Sequence, residues 1–213
     1  MRGTYPHFRV WRALAGLAGA VLLCAACTTV SPPIEYYRLA DPELAAGPKS
    51  SLSAAIGPVS LPETVDRAQL VLVVSPDRVA ISDTRRWAAP LKNEVPRVLA
   101  GAVARALGGA HIGVAGLGTT ATVDYRVTVD FRRFDAVAGQ GVVLEAGWAV
   151  LSPDGRLLDR GGGEYRNEHP DLGFADIPAA LSTALVPLAR DIAGALAGAN
   201  RAYAARTIET PPR

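Results

Sequence analysis

Thr122-Val123-Asp124-Tyr125-Arg126-Val127-Thr128-Val129-Asp130-Phe131-Arg132 is the stretch on which the fold turns. Its odd-numbered positions are apolar or aromatic, and its even-numbered positions are polar or charged. Successive side chains of a strand point to opposite faces, so this pattern dictates a strand with one buried and one wet face. Leu144, Ala146, Trp148 and Val150 repeat the alternation in the next segment. Ser152-Pro153-Asp154-Gly155 then supplies turn chemistry: proline presets φ and glycine accepts a positive one. Residues 156–166 return as a third strand, and residues 122–166 form an antiparallel meander.

Upstream, Leu70-Val71-Leu72-Val73-Val74 is a continuous aliphatic run ending before Pro76, the pattern of a strand covered on both faces. Two amphipathic segments bracket the meander. Residues 90–107 carry Leu91, Val95, Val98, Leu99, Ala102, Val103 and Ala106 at helical spacing, and Gly108-Gly109 ends them. Pro96 either kinks this helix or falls in its first turn behind an Asn93 cap. Residues 176–199 carry Leu181, Leu185, Leu188, Ile192 and Leu196, with Asp176 as the expected N-cap and a kink expected at Pro187. The expected fold is an α+β or α/β sandwich: a mixed sheet with a C-terminal antiparallel meander and two main helices packed on it. One domain spans residues 34–206, with an irregular stretch at residues 41–51 and a flexible tail at residues 207–213.

The 213 residues hold 22 Lys+Arg against 20 Asp+Glu, 49% hydrophobic residues and two cysteines. That composition excludes a disordered chain, a disulfide scaffold and the basic excess of a nucleic-acid binder. Arg2, Arg9 and Arg12 lie in a leader without acids, so the body is near neutral. Residues 13–26 are uncharged and too few for a spanning helix, which marks residues 1–26 as a signal peptide. The leader ends Leu23-Cys24-Ala25-Ala26-Cys27-Thr28. Small residues before a cysteine resemble the bacterial lipobox, although Cys24 stands where an aliphatic residue is usual. That resemblance implies cleavage before Cys27, a covalent lipid on Cys27, and a tether over residues 27–33. Thr28, rather than Asp, after the anchor implies the outer membrane. More than one acyl chain makes such an anchor stable.

Catalytic chemistry has no sequence support. His111 and His169 have no ligand cluster at metal spacing, and no Gly-x-Ser-x-Gly elbow is present. The glycine spots at residues 116–120 and 161–163 read as turns or bulges, not phosphate loops. Arg85-Arg86 and Arg132-Arg133 read as solvated basic pairs.

After the lipobox come Tyr36-Tyr37-Arg38-Leu39, then Ile56-Gly57-Pro58-Val59-Ser60-Leu61-Pro62 and Val65-Asp66-Arg67-Ala68-Gln69-Leu70-Val71. Arg86-Trp87-Ala88-Ala89-Pro90-Leu91 and Pro96-Arg97-Val98-Leu99 follow. This series resembles the ABC-type transport auxiliary lipoproteins, the PqiC/YmbA group. The resemblance implies an α/β sandwich and a non-catalytic outer-membrane lipoprotein facing the periplasm. It would work with MCE-domain proteins and their ABC transporters in lipid movement between membranes and in envelope integrity. No cofactor beyond the lipid on Cys27 is expected. A docking face uses aromatic and Arg anchors, which selects Tyr36, Tyr37, Arg86 and Trp87; an extended chain sends Tyr36 and Tyr37 to opposite faces. Two other readings stay open: a domain that itself holds a lipid or small apolar ligand between helix and sheet, and an envelope enzyme with an unmarked site. Self-assembly through a sheet edge is compatible with the pattern.

Overall fold

A computed structural model describes residues 32–116 and 123–209, with side chains through residue 205. The folded domain is the unit that begins at Ile34. Its elements run β1 (Glu35–Tyr37), β2 (Ser53–Ser60), β3 (Gln69–Ser75), β4 (Arg78–Trp87), α1 (Leu91–Ala106), β5 (His111–Val114), β6 (Tyr125–Val137), β7 (Gly141–Leu151), β8 (Leu157–Glu168) and α2 (Ile177–Glu209). This is the α+β sandwich with a mixed sheet that the sequence pattern requires.

The opening stretch becomes β6, which organises the sheet. One edge of β6 pairs antiparallel with β7 along its length, and β7 pairs with β8, giving the expected meander. The other edge forks. Its first half pairs parallel with β2, which leads to β5. Its last residue, Val137, meets Val73 of β3, which leads through β4 to β1. Val127, Val129 and Phe131 are buried as their alternation requires. Between Phe131 and Arg133 the β6–β7 register shifts, and the extra residue moves the buried set to Phe134 and Ala136. Phe131 and Phe134 then meet edge to face, with ring centroids 5.1 Å apart. The Ser152–Gly155 turn forms as read: Gly155 N–H donates to Ser152 O at 2.9 Å, with Gly155 at φ +84°.

The helices α1 and α2 pack on the sheet and on each other. Leu91, Val95, Val98, Leu99, Ala102 and Val103 of α1 are buried, as are Leu181, Leu185, Leu188, Ile192 and Leu196 of α2. Neither expected side-chain cap forms. Pro90 occupies the N-cap of α1, and its carbonyl takes the N–H groups of both Asn93 and Glu94, so Pro96 lies inside the helix. The Asp176 carboxylate instead accepts Gly173 N–H at 3.1 Å and closes the preceding turn, while the Asp176 carbonyl takes Ala180 N–H. The second helix passes through Pro187 and continues to Glu209, well beyond residue 199. On length and composition alone Ile177–Ala205 could cross a membrane, but 67% of its most apolar window is buried in the domain, where it serves as the core helix.

The connection from β1 to β2 crosses the helix layer as a strap. Leu39 and Leu52 are buried in the core. Arg97 of α1 donates to Asp41 at 2.8 Å, to the Leu39 carbonyl at 2.9 Å and to Glu94 at 3.0 Å. Ser182 of α2 accepts Ala40 N–H at 3.1 Å. Arg105 donates to the Pro42 carbonyl at 2.9 Å, and Gly47 N–H donates to the Arg105 carbonyl. The stretch read as irregular, residues 41–51, is thus without regular structure yet bonded along α1, and Ala40 just before it ties the strap to α2. Gly108, at φ +63°, ends α1 where a Cβ would stand 2.6 Å from the strap backbone at Pro48 and Lys49.

The edge strand β8 is fastened to α2 by Tyr165, whose hydroxyl donates to Asp191 at 2.8 Å. Burial, reinforced by the Asp191 carboxylate, pushes the Tyr165 phenol up to about 12. The native state therefore holds this proton more tightly than the unfolded chain, whose tyrosines titrate near about 10. The resulting stability is fully present below about pH 10 and is lost as pH rises toward about 12. Urea denaturation across that range is expected to show falling stability in the wild type, with a shallower fall in Tyr165→Phe; identical slopes would refute the assignment.

Candidate functional site

The four residues expected at a partner face lie together where β1 pairs with β4. Tyr36 is in register with Arg86, and Tyr37 with Trp87. The strand pleat then separates them into two pairs. Trp87 is 6% exposed and belongs to the core, and Tyr37 packs half-buried against it. Backbone bonds fix this corner: Trp87 N–H donates to Ala68 O, and Ala88 N–H to Tyr37 O, both at 2.7 Å. Beside them the Tyr37 hydroxyl donates to Glu35 at 2.7 Å, and Arg85 Nε donates to the same carboxylate oxygen at 2.9 Å. The Tyr37 hydrogen bond, then the Arg85 charge, hold Glu35 below the ordinary carboxylate range. Arg85 is therefore a paired ion, not a freely solvated one.

Tyr36 and Arg86 occupy the opposite face. Tyr36 is 65% exposed. Arg86 is half-buried, and its Nε is shielded from water with no acceptor in reach. Across the register Arg86 meets Gln69, two residues from Val71 on the same side of β3. Val71 faces Ile81 and Val73 faces Val79, and those two β4 side chains are exposed. Tyr36, Arg86, Ile81 and Val79 thus share one surface. Val79 and Ile81 carried no period-2 signal, because residues 78–82 read Arg-Val-Ala-Ile-Ser behind the Pro76-Asp77 turn and Ala80 breaks the apolar–polar alternation.

The remaining sequence candidates are structural. Gly161 sits in the middle of β8, not in a turn, and faces Trp148, where a Cβ would stand 2.4 Å from the indole ring. Arg132 pairs with Glu145 at 2.8 Å and Arg133 with Asp135 at 2.6 Å. His111 is exposed at the start of β5; the backbone N–H of His169 donates to the Gln140 carbonyl, and its ring Nδ1 is buried without a hydrogen-bond partner. Residues 117–120, most of the first glycine spot, lie outside the described residues, as does Cys27. Asp77 and Asp154 are held below the usual range by Ser75 and Ser152 hydroxyls in their own turns. Among the described residues no group of three or more His, Cys, Asp or Glu could hold a metal ion.

Two larger spaces open on the surface. One, of about 700 Å³, lies among Ser60, Asp130, Ala149, Trp148 and Arg160. The other, about 430 Å³, lies between Tyr125, Arg156 and the α2 residues Asn200 and Tyr203. Neither is lined by His111 or His169. Within the helix–sheet layer, the space around Trp87, Phe134 and Leu181 is about 10 Å³, too small for an acyl chain. The division of the four residues by face is measurable. Trp87→Ala is expected to cost about 3–5 kcal/mol of unfolding free energy, and Tyr36→Ala less than about 0.5 kcal/mol, by urea denaturation. Comparable losses would overturn the placement.

Comparison with known proteins agrees with this architecture. Curated proteins give no match. The fold is similar to the crystal structure of an uncharacterized protein at 17% identity and TM-score 0.63, covering 78% of this chain and 99% of that one. It is also similar to protein XCC0632 from Xanthomonas campestris, of the DUF330 family, at 18% identity and TM-score 0.60, covering 80% of this chain and 98% of that one. The family model described as the ABC-type transport auxiliary lipoprotein component matches residues 37–193, which run from the β1–β4 corner through the core of α2, and the chain belongs to that family.

Proposed function

We propose that this chain is a non-catalytic lipoprotein subunit of an MCE/ABC-type intermembrane lipid transport system. It is acylated on Cys27, held at the periplasmic face of the outer membrane, and docks the periplasmic partner of the transporter there, supporting envelope integrity. The observation that carries the reading is the family match over residues 37–193, beginning ten residues behind a lipobox-like cysteine. ATP hydrolysis would belong to the transporter, and the role left to this subunit is positional.

Position requires an anchor, a short leash and a rigid body. Residues 28–33 supply an uncharged leash containing Pro32 and Pro33. The strapped helix–sheet sandwich supplies the body. Of the four residues expected at a partner face, Tyr37 and Trp87 are committed to the interior, and Tyr36 and Arg86 are the two that reach the opposite surface. Homo-oligomers are compatible with this role, since among the described residues β1, β5 and β8 each pair along one edge only.

The test is a pull-down from detergent-solubilised native envelope through a C-terminal tag, read by mass spectrometry beside a Cys27→Ala control. Recovery of an MCE-domain protein or its ABC components with the acylated chain, and their reduction with Cys27→Ala, is expected. Recovery of neither component by an acylated, folded chain would refute the proposed role.

A further inference from the structure

Six large hydrophobic side chains are exposed among the described residues, and four of them gather at one end of the sheet. Tyr36 (65% exposed), Val79 (46%) and Ile81 (41%) share the outer face of β1, β4 and β3, and Ile34 (44%) precedes Tyr36 by two residues, in phase with it. Arg86 stands among them with a shielded Nε that has no acceptor. Elsewhere the sheet is finished differently: on β6, β7 and β8 the ion pairs Arg132–Glu145, Arg133–Asp135 and Arg166–Glu164 occupy the surface. Apolar exposure is therefore concentrated at β1, the first strand after the leash.

We infer that this outer face of β1, β4 and β3 rests on the lipid headgroup surface to which the chain is tethered. The inference depends on acylation of Cys27 and then fixes which way the domain faces. Six residues, 28–33, lie between Cys27 and Ile34, and these seven Cα-to-Cα steps span at most about 25 Å when fully extended. Ile34 and Tyr36 thus stand close to the anchor along the chain, and a protein partner arriving from the periplasm meets the rest of the domain. A leash this short holds the face at an effective concentration on the order of millimolar, so a patch too small to bind a membrane unaided is kept on it. The side chains suit that contact. Tyrosine favours the interface because its ring is apolar and its hydroxyl is wet. Val79, Ile81 and Ile34 enter shallowly between headgroups. Arg86 lies along the apolar surface, and its guanidinium, whose Nε has no acceptor within the fold, gains phosphate and ester oxygens at its outer nitrogens.

The decisive measurement uses the full-length acylated chain, purified from membranes and reconstituted into vesicles of phosphatidylethanolamine and phosphatidylglycerol. Once Cys24 has left with the leader and Cys27 is acylated, an introduced cysteine carries the single free thiol. An environment-sensitive fluorophore is placed at Val79→Cys, at Ile81→Cys, and at Arg190→Cys, an exposed position on α2. Nitroxide-bearing lipids are expected to quench the first two several-fold more strongly than the third. Ile81→Asp should reduce quenching at position 79 while leaving the circular dichroism unchanged. Equal quenching at all three positions of an acylated chain would overturn the inference and leave the lipoprotein reading standing. So would probes at 79 and 81 that become shielded only when a protein partner is added. A chain without an acyl group by mass, which fails to float with the vesicles, would remove the anchor and this inference together.

Discussion

Everything in this domain depends on β6 having to bury one face while sharing both of its edges. A hairpin alone would not suffice, since two strands are marginal in water without further strands or a covering helix. Here β7 takes the whole of one edge, and the other is divided between β2 and the end of β3. The two branches diverge from the fork, and side chains of α1 and α2 must fill the layer above it. The register shift near Arg132 makes this workable: it moves the inward set from Val127, Val129 and Phe131 to Phe134 and Ala136. Strict alternation through the whole strand would have turned Arg133 and Asp135, now an ion pair, into the core, at the large cost of buried charge.

The second constraint is the strap. A sheet with two helices on it has an outermost layer made of helix, and helices alone leave their outer ridges to water. Residues 39–42 cover part of that layer and bond to both helices through Arg97 and Ser182. The exposed ion pairs contribute little each, because water screens them. Their value is geometric: the guanidinium fork of Arg97 reaches a carboxylate, a carbonyl and Glu94 at once, so the segment has one position instead of many. Gly47 and Gly108 permit the close approach, since a Cβ at either would collide with the backbone opposite.

What the sequence made legible follows from which signals are local. The β6–β8 meander and the buried stripes of both helices are periodic, and periodicity survives without knowledge of neighbours. The helix starts were not legible in detail. Asn93 and Asp176 are good cap residues, but α1 starts earlier, with the Pro90 carbonyl taking the Asn93 and Glu94 N–H groups, and the Asp176 carboxylate is spent on the preceding turn at Gly173. The glycines of β8 read as a turn because their reason, the Trp148 indole on the adjacent strand, lies thirteen residues away at Gly161. At the candidate face, the split of Tyr36 from Tyr37 follows from the pleat alone. The burial of Trp87 and exposure of Val79 and Ile81 do not, because they depend on β4 being placed between β1 and β3.

The placement of the strap bears on how an anchored protein resists a pull. Three residues of β1 pair with β4, and a force applied at Pro33 loads those few backbone bonds first. If nothing followed, the strand could peel away one bond at a time, since each is worth only about 1 kcal/mol net. Two residues beyond Tyr37, however, Leu39 is fully buried, and its carbonyl is held by Arg97. Ala40 and Asp41 are bonded immediately after it. Peeling must therefore stop where withdrawing one more residue would expose the Leu39 side chain and break several bonds to two helices together. The anchored end of the chain has a short edge strand for contact and a buried plug directly behind it for strength, and a load that peels the strand is passed to the helix–sheet core.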